Sequence, residues 1–156
     1  MKVLFISSGN SEFGITPIVK NQGESLRKNG IDLDYFTIKG KGINGYLKNI
    51  PILKKYLKTH HYNIIHAHYL LSAIVATLSG AKPLVVSLMG SDAYRNKISK
   101  KFIKYFKKLK WDKTIVKTDN MKKYLNISDA IVIPNGVDLN KFEYILQENA
   151  INFTGF

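Results

Sequence analysis

Two histidines that stand two residues apart, His66 and His68, are the side chains of this sequence best placed for chemistry. They close an apolar run, 63–69, that has the pattern of a buried strand. Side chains two apart on a strand share a face, and parallel sheets bind ligands beyond the carboxyl ends of their strands. We therefore expect both imidazoles to line one wall of a crevice, with Ala67 facing away. The alternative is a packed, hydrogen-bonded pair beneath a helix.

The same pair does not have the pattern of a metal site. No cysteine, histidine or acidic residue stands at a recognisable ligand spacing from it. The two remaining histidines, His60 and His61, come just before the strand and are expected to be solvated loop residues. The sequence therefore predicts no metal ion.

The composition is that of one basic globular domain. The 156 residues are 45% apolar, enough for a proper core, and the absence of cysteine excludes disulfide and thiol chemistry. The sequence has neither a signal peptide nor an apolar run of transmembrane length, so we expect a cytoplasmic protein. The formal charge of +13 makes nucleic acid or a membrane surface a candidate partner. Only Arg27 and Arg95 are arginines, which disfavours specific readout of bases.

Alternating strands and helices must position the histidines. Besides the histidine strand, the apolar runs predict strands over 2–7, 33–38, 84–88, 113–117 and 130–133. The helical patterns cover 17–29, 46–58, 70–79 and 98–111, with a short helix after Thr118 or Asp119. Strands that alternate with helices predict an α/β fold: a doubly wound, mostly parallel sheet with helices on both faces.

Several local signals refine these elements. Thr16 is expected to cap the first helix, with Pro17 at its first position and Gly30 at its end. The glycines at 40, 42 and 45 predict a mobile connection, and Pro51 is expected to interrupt the helix over 46–58.

The helix over 98–111 has the strongest amphipathic pattern. Ile98, Phe102, Phe106 and Leu109 form one stripe, and lysines occupy the rest of the helix surface. In one interpretation the stripe packs against the sheet and the lysines form a solvated outer face. In the other, the lysine-rich helix contacts an anionic membrane at the cytoplasmic side.

Four short motifs end four of the predicted strands. They are Val3–Ile6 with the glycine loop that follows, Ile64–Tyr69, Val85–Asp92 and Ile131–Asp138, with Phe142 after the last of them. In this order the motifs resemble the amino-terminal domain of GT-B-fold glycosyltransferases of family four. The resemblance extends over nearly the whole chain to about Phe142.

The resemblance implies a Rossmann-like half of a two-domain enzyme. It assigns 1–142 to the acceptor-side domain and 143–156 to a tail or the start of an interdomain linker. The family's donor-binding domain has no counterpart in this sequence, so we expect the isolated chain to bind donor poorly and to be inactive. For the intact enzyme, the resemblance implies retaining transfer of a hexosyl group from a nucleotide diphosphate sugar, without a metal cofactor. The implied acceptor is a polysaccharide, glycan or lipid-linked hydroxyl in cell-envelope synthesis.

The same match implies roles for individual residues. His68 is expected nearest the reacting sugar and His66 is second. Backbone amides near Ser8 and Gly9 are expected to approach the diphosphate, because glycine admits close contact and amides favour anions. The remaining positions assigned to substrate are Asn10, Gly14, Tyr69, Gly90, Ser91, Asp92, Asn135 and Gly136.

Two of those positions have simpler interpretations. Asp92 either orients a loop or an acceptor hydroxyl, or is a turn carboxylate that caps the segment after it. Asn135 and Gly136 either lead to the interdomain hinge or form an ordinary turn.

The sequence departs from the family at two places. Gly9 stands alone where family members commonly carry a glycine pair, and Met89 replaces a histidine before the Gly-Ser-Asp turn. A thioether can neither donate a hydrogen bond nor exchange a proton, so the role of that histidine is missing here.

A non-catalytic Rossmann-like module is the alternative to an enzyme. Charge and fold are compatible with a nucleotide- or nucleic-acid-binding domain, and an isolated acceptor domain could bind a glycan without catalysis. Against the nucleic-acid interpretation stand the scarcity of arginine and the absence of a Gly-x-Gly-x-x-Gly or Walker sequence.

Overall fold

Six parallel strands form the sheet in a computed structural model that describes residues 1–12, 14–92, 94, 97–137 and 145–154. Arg95, Asp138 and Phe142, named above, lie outside these residues, as does the expected domain boundary at 142. The strands are β1 (Lys2–Ser8), β2 (Asp32–Ile38), β3 (Ile64–His68), β4 (Leu84–Ser87), β5 (Lys113–Val116) and β6 (Ile131–Val132). Their order is β2-β1-β3-β4-β5-β6, and each pair is parallel. The predicted parallel α/β sheet is confirmed.

Helices cover both faces of the sheet, as predicted. They are α1 (Pro17–Lys28), α2 (Gly42–Leu47), α3 (Asn49–Thr59), α4 (Leu70–Leu78), α5 (Lys97–Lys110), α6 (Asp119–Leu125) and α7 (Gln147–Thr154). The β1-α1-β2 connection runs in one direction across the sheet and the later crossovers run in the other. Because such crossovers are right-handed, α1 lies on one face and α2 to α6 lie on the opposite face.

The buried core is divided between the same two faces of the sheet. Val3 and Phe5 of β1 pack with α1, whereas Leu4 and Ile6 belong to the larger cluster on the other face. In β3, Ala67 belongs to that larger cluster, so the two histidines, on the alternate positions, face the side of α1. The sheet therefore places both imidazoles beside Phe5.

Two helix ends test the predicted caps. Thr118 caps α6, because its Oγ1 accepts a hydrogen bond from the amide of Met121 at 3.1 Å. Thr16 precedes α1, but its hydroxyl makes no capping bond: it is turned inward and has no partner among the described residues. The predicted Thr16 cap is therefore wrong, whereas Gly30 does follow the helix with a positive φ of 79°.

The glycine-rich connection makes specific contacts, and its predicted mobility stays a prediction. A Cβ on Gly45 would lie 2.4 Å from the carbonyl carbon of Gly40, so the two backbones pack directly against each other. The side-chain amide of Asn49 donates to the carbonyl oxygens of Lys39 and Gly45 at 2.8 and 2.7 Å. The break between α2 and α3 falls at Lys48 rather than at Pro51.

Pro51 lies in the first turn of α3 and does not interrupt it. A first-turn residue has no intrahelical acceptor for its N–H, so the missing N–H of proline removes no hydrogen bond there.

The apolar stripe of α5 does not pack on the sheet as one interpretation expected. Ile98, Phe102 and Leu109 are exposed, Phe106 is half-buried, and Ile103 is the fully buried residue of the helix. Ile103 lies about 140° around the helix from Ile98, since each residue turns the helix by about 100°. The sheet-facing side therefore differs from the side that carries the stripe.

Candidate functional site

The two histidines lie at the carboxyl end of β3 in an aromatic cluster. Their ring centroids are 4.3 Å apart, and the ring of Phe5 lies 5.1 Å from His66 and 4.5 Å from His68. Nε2 of His66 is within hydrogen-bond distance, 2.8 Å, of the Ser87 Oγ on β4. The shared face is confirmed. Both rings are buried, however, so the expectation that they line an open wall is wrong for the described surface.

Burial sets the protonation of both rings. Burial, together with the smaller effect of the positive charge of Lys117, lowers the pKa of His66 to about 4. Burial also holds the pKa of His68 well below its ordinary value. Electrostatic interactions with His66 and Lys117 are smaller causes in the same direction. Both imidazoles are therefore neutral at neutral pH, each with one N–H donor and one acceptor nitrogen.

His68 is buried without satisfied polar contacts. Within the described part of the chain, neither of its ring nitrogens has a hydrogen-bond partner. The hydroxyl of Ser7 likewise has no partner among the described residues, and Ser7 and His68 directly follow the last pair that joins β1 to β3. A buried polar atom left unpaired costs about 1–3 kcal/mol. The edge of the sheet therefore concentrates unused hydrogen-bonding capacity at these two residues.

Tyr69 connects β3 to α4 in a strained backbone conformation. Its φ of 71° and ψ of 151° fall in a region that is almost reserved for glycine and that costs other residues about 1–3 kcal/mol. Its amide donates to the carbonyl of Ser87 at 3.0 Å, which holds the turn against β4. The turn thereby ends the strand immediately after His68.

Asp92 joins the two loops beside this turn. Its Oδ2 accepts from the amide of Leu70 at 2.9 Å, and its Oδ1 accepts from the amides of Met89 and Gly90 at 2.9 and 3.0 Å. Burial raises the pKa of its carboxyl, and these backbone donors oppose the rise. Asp92 thus orients the loop, one of the two roles expected of it. Most of the segment directly after Asp92 lies outside the described residues, so a cap on that segment stays a prediction.

Gly90 and Ser91 complete the turn. Gly90 has a φ of 111°, a conformation that favours glycine, and Ser91 is exposed. The loop therefore has a carboxylate at its base and a hydroxyl on its surface.

The first loop makes backbone hydrogen bonds within the protein. The amide of Gly9 donates to the carbonyl of Ile38 at 2.9 Å, and the amide of Asn10 donates to Ser8 Oγ at 3.3 Å. These two amides are engaged within the protein, and the expectation that amides near Ser8 and Gly9 approach the diphosphate stays a prediction. A Cβ on Gly9 would lie 2.9 Å from the Thr37 Cβ, so close packing on β2 is what requires glycine there.

Asn10 and Gly14 shape the same loop. The Asn10 side chain binds the backbone of Gly40 twice, donating to its carbonyl at 2.8 Å and accepting from its amide at 2.9 Å. Gly14 has a φ of 71°, and its amide donates to Ser11 at 2.9 Å. These contacts are structural within the loop.

Lys117 is the site residue that sequence reasoning missed. It directly follows β5, is half-buried, and exerts its charge on both histidines and on Asp92. Burial lowers the pKa of its own ammonium group, and Asp92 opposes that shift. Its signal in the sequence is a lysine that directly follows the apolar pair Ile115 and Val116 at the carboxyl end of the strand.

Asn135 and Gly136 follow β6, one of the two edge strands, and both are exposed outside any helix or strand. Their assignment to substrate or to a hinge stays a prediction. Across the described ranges, no three histidine or acidic side chains come together as a metal ion would require. No helix in the described part of the chain is long and apolar enough to span a bilayer.

The described site is thus the carboxyl edge of a parallel sheet with helices on both faces, the place where Rossmann-like proteins bind their ligands. The family model of Glycosyltransferase Family 4 matches residues 21–141, and the chain belongs to that family.

Solved structures of the GT-B fold agree with this assignment. Sucrose-phosphate synthase from Thermosynechococcus elongatus superposes with a TM-score of 0.76 at 17% identity, over 100% of this chain and 53% of the synthase chain. HepE from Anabaena, in complex with UDP and glucose, superposes with a TM-score of 0.64 at 16% identity, over 99% of this chain and 50% of its own. The chain therefore spans about half the length of these two structures. No curated protein sequence is significantly similar to it.

Proposed function

We propose that this chain is the acceptor-side half of a retaining glycosyltransferase that moves a hexosyl group from a nucleotide diphosphate sugar to an acceptor hydroxyl. The observation that carries the proposal is the family match over residues 21–141, which includes the histidine strand and the loop held by Asp92. HepE, which shares the fold, was crystallised with UDP and glucose, and this supports a nucleotide sugar as donor.

The chemistry requires little covalent participation by the protein. The bond from the anomeric carbon to the diphosphate breaks, the bond to the acceptor oxygen forms, and the acceptor proton leaves with the diphosphate. Positive charge develops at the sugar and negative charge on the leaving group, so catalysis consists of positioning and electrostatic stabilisation. We propose that no metal ion takes part.

His68 and His66 are suited to contact the sugar. A neutral imidazole can donate to one sugar hydroxyl and accept from another, and the unpartnered nitrogens of His68 gain most from such contacts. Because the ring is fully buried, a sugar can reach it only when the loops at the sheet edge rearrange. The strained turn at Tyr69 and the loop held by Asp92 are the segments adjacent to it.

Lys117 would supply positive charge at the same edge. An ammonium group that is half-buried is less screened by solvent than an exposed one, so it stabilises a nearby anion more strongly. The leaving diphosphate is such an anion. Donor binding itself we assign to a second domain outside this chain, and we expect the chain alone to bind donor weakly and to turn over little or none.

An acceptor from cell-envelope polysaccharide or glycolipid synthesis fits this proposal. Such acceptors are often lipid-linked, so the protein would work at the cytoplasmic face of a membrane. This location predicts a surface of the chain that is suited to an anionic bilayer.

Saturation-transfer NMR with the 156-residue chain tests the proposed function. We expect oligosaccharide acceptors to give transfer signals and nucleotide sugars to give weak ones. Lys117→Gln should weaken the nucleotide-sugar signals, whereas Lys113→Gln, at the other end of β5, should not. Tight binding of DNA or of free nucleotides without any glycan binding would instead support a non-catalytic nucleotide or nucleic-acid module.

A further inference from the structure

We propose that α5 docks this protein on an anionic membrane through an exposed apolar ridge and the lysine row beside it. The apolar ridge consists of Ile98, Phe102, Tyr105 and Leu109. The lysine row consists of Lys97, Lys101, Lys104 and Lys108. This inference goes beyond sugar transfer and does not depend on it.

The apolar ridge is a continuous surface feature. With about 3.6 residues per turn, its four side chains fall within an arc of about 60°. They are 63%, 47%, 62% and 51% exposed in chain order. The ring of Phe106, half-buried beneath them, stacks on Phe102 at 6.2 Å and meets Tyr105 edge-on at 5.5 Å. The ridge is therefore held outward on a packed base.

The lysine row runs along one flank of the ridge. Its four members also fall within an arc of about 60°, and all are exposed. The helix contains seven lysines and no acidic residue. Two of the other lysines contact the protein: Lys107 pairs with Asp129, and Lys100 lies 4.7 Å from the ring centre of Tyr124. These contacts fix the rotation of α5, and the exposed lysine row lies on its outer side.

Ridge and row together favour a lipid surface over other occupants. A second copy of the same helix would bring like charges together, which opposes self-association. Nucleic-acid phosphates would neutralise the lysines but would leave the apolar ridge in water. At a bilayer, the ridge enters the acyl boundary while the ammonium groups reach the lipid phosphates through their flexible stems.

The position of α5 relates the docking surface to the candidate site. The helix begins five residues after Asp92, in the segment that leaves the carboxyl edge of the sheet. Tyr94, between them, donates its amide to the carbonyl of Gly90 at 3.0 Å and packs on Tyr124 at 4.9 Å. A docked α5 therefore holds the carboxyl edge close to the bilayer. If the proposed function also holds, this geometry presents that edge to a lipid-linked acceptor.

Vesicle flotation tests the lysine row. The 156-residue chain is mixed with vesicles of phosphatidylcholine alone, or of phosphatidylcholine with phosphatidylglycerol, and we expect it to float with the anionic vesicles only. Replacing Lys101, Lys104 and Lys108 with Gln should lower the partition coefficient about a hundredfold. The matched control replaces Lys54, Lys55 and Lys58 of α3, which are also exposed, and should change it far less.

A second pair of variants tests the apolar ridge. Phe102→Ser with Leu109→Ser should lower partitioning at least about tenfold and make the remaining binding more sensitive to salt. Ile43→Ser with Ile52→Ser, two comparably exposed residues on α2 and α3, is the matched control. Thermal melting by circular dichroism verifies that each variant folds, and glycan binding by NMR reports separately on the proposed function.

Three results would overturn the inference. Equal losses from the α5 and α3 lysine variants would mean that net charge alone drives binding. Absence of binding to anionic vesicles by the folded chain would exclude the docking surface. Retention on DNA at physiological ionic strength, lost with the α5 lysines and unaccompanied by vesicle binding, would assign the helix to nucleic acid.

Discussion

Nε2 of His66 and Oγ of Ser87 lie 2.8 Å apart across the β3–β4 pair, and this contact is buried. It gives His66 a polar partner, whereas His68, two residues further along β3, has none among the residues that the structure describes. The two imidazoles therefore differ: His66 is hydrogen-bonded to the sheet, and the ring nitrogens of His68 are the ones that we propose a ligand would use.

Removing the hydroxyl of Ser87 should destabilise the fold. In Ser87→Ala the buried His66 ring loses its partner, so we expect the free energy of unfolding to fall by about 1–3 kcal/mol. Urea denaturation measures it. Ser91→Ala, at an exposed turn position, should stay within about 0.5 kcal/mol of the parent. Equal stabilities for the two variants would contradict the contact.

Stability should decrease as the pH falls between 6.5 and 4. Burial lowers the pKa of folded His66 to about 4 from 6.5, so in this window the unfolded chain binds a proton that the folded chain does not. The stabilisation from neutral His66 is fully present above the pKa that this residue has in the unfolded chain. It is lost as the pH falls toward the pKa of the folded chain, by an amount on the order of 3 kcal/mol.

Comparison with a variant isolates this effect from other titrating groups. Urea titrations across the window should show a smaller pH slope for His66→Asn than for the parent, by up to about 1.4 kcal/mol per pH unit. The exposed His61→Asn should keep the parental slope. Parallel slopes for all three proteins would show that His66 does not titrate as its burial requires.

Asp92 should hold the two loops together. Asn at this position keeps one acceptor oxygen but turns a donor NH₂ toward backbone amides, so Asp92→Asn should lower the free energy of unfolding by about 2 kcal/mol. Hydrogen exchange at the Leu70 amide should accelerate as well. Asp32→Asn, at an exposed position, is the control, and an unchanged exchange rate at Leu70 would argue against the bond.

The backbone at Tyr69 should prefer glycine. Tyr69→Gly and Tyr69→Ala both remove the ring, but only glycine adopts a φ of 71° with ψ of 151° without strain. We expect the glycine variant to be the more stable of the two by about 1 kcal/mol, the reverse of the usual order. An alanine variant as stable as the glycine variant would mean that the turn is unstrained.

The sequence predicts the sheet well because local patterns determine it. The runs that contain Phe5, His66 and Val86 are apolar on both faces, as strands of a parallel sheet must be, and each is followed by a helical pattern. The shared face of the two histidines follows from the period of a strand alone. These features need no knowledge of tertiary contacts.

The errors arise where distant contacts decide. The amide of Gly9 donates to the carbonyl of Ile38, and Gly45 packs on Gly40, and neither contact can be read from the local sequence. Asp92 binds Leu70, which lies 22 positions away in the sequence. The rotation of α5 follows from the burial of Ile103 rather than from the width of its apolar stripe. Sequence periodicity does not specify which of two apolar sides a sheet will cover.

The most direct test of the central claim, that His68 meets the sugar, is long-range proton–nitrogen NMR of the histidine rings during titration with an acceptor oligosaccharide. The account expects both His68 nitrogens to shift as the ligand binds, while those of the exposed His61 stay in place. Saturation with a bound glycan that leaves the His68 nitrogens unmoved would contradict it.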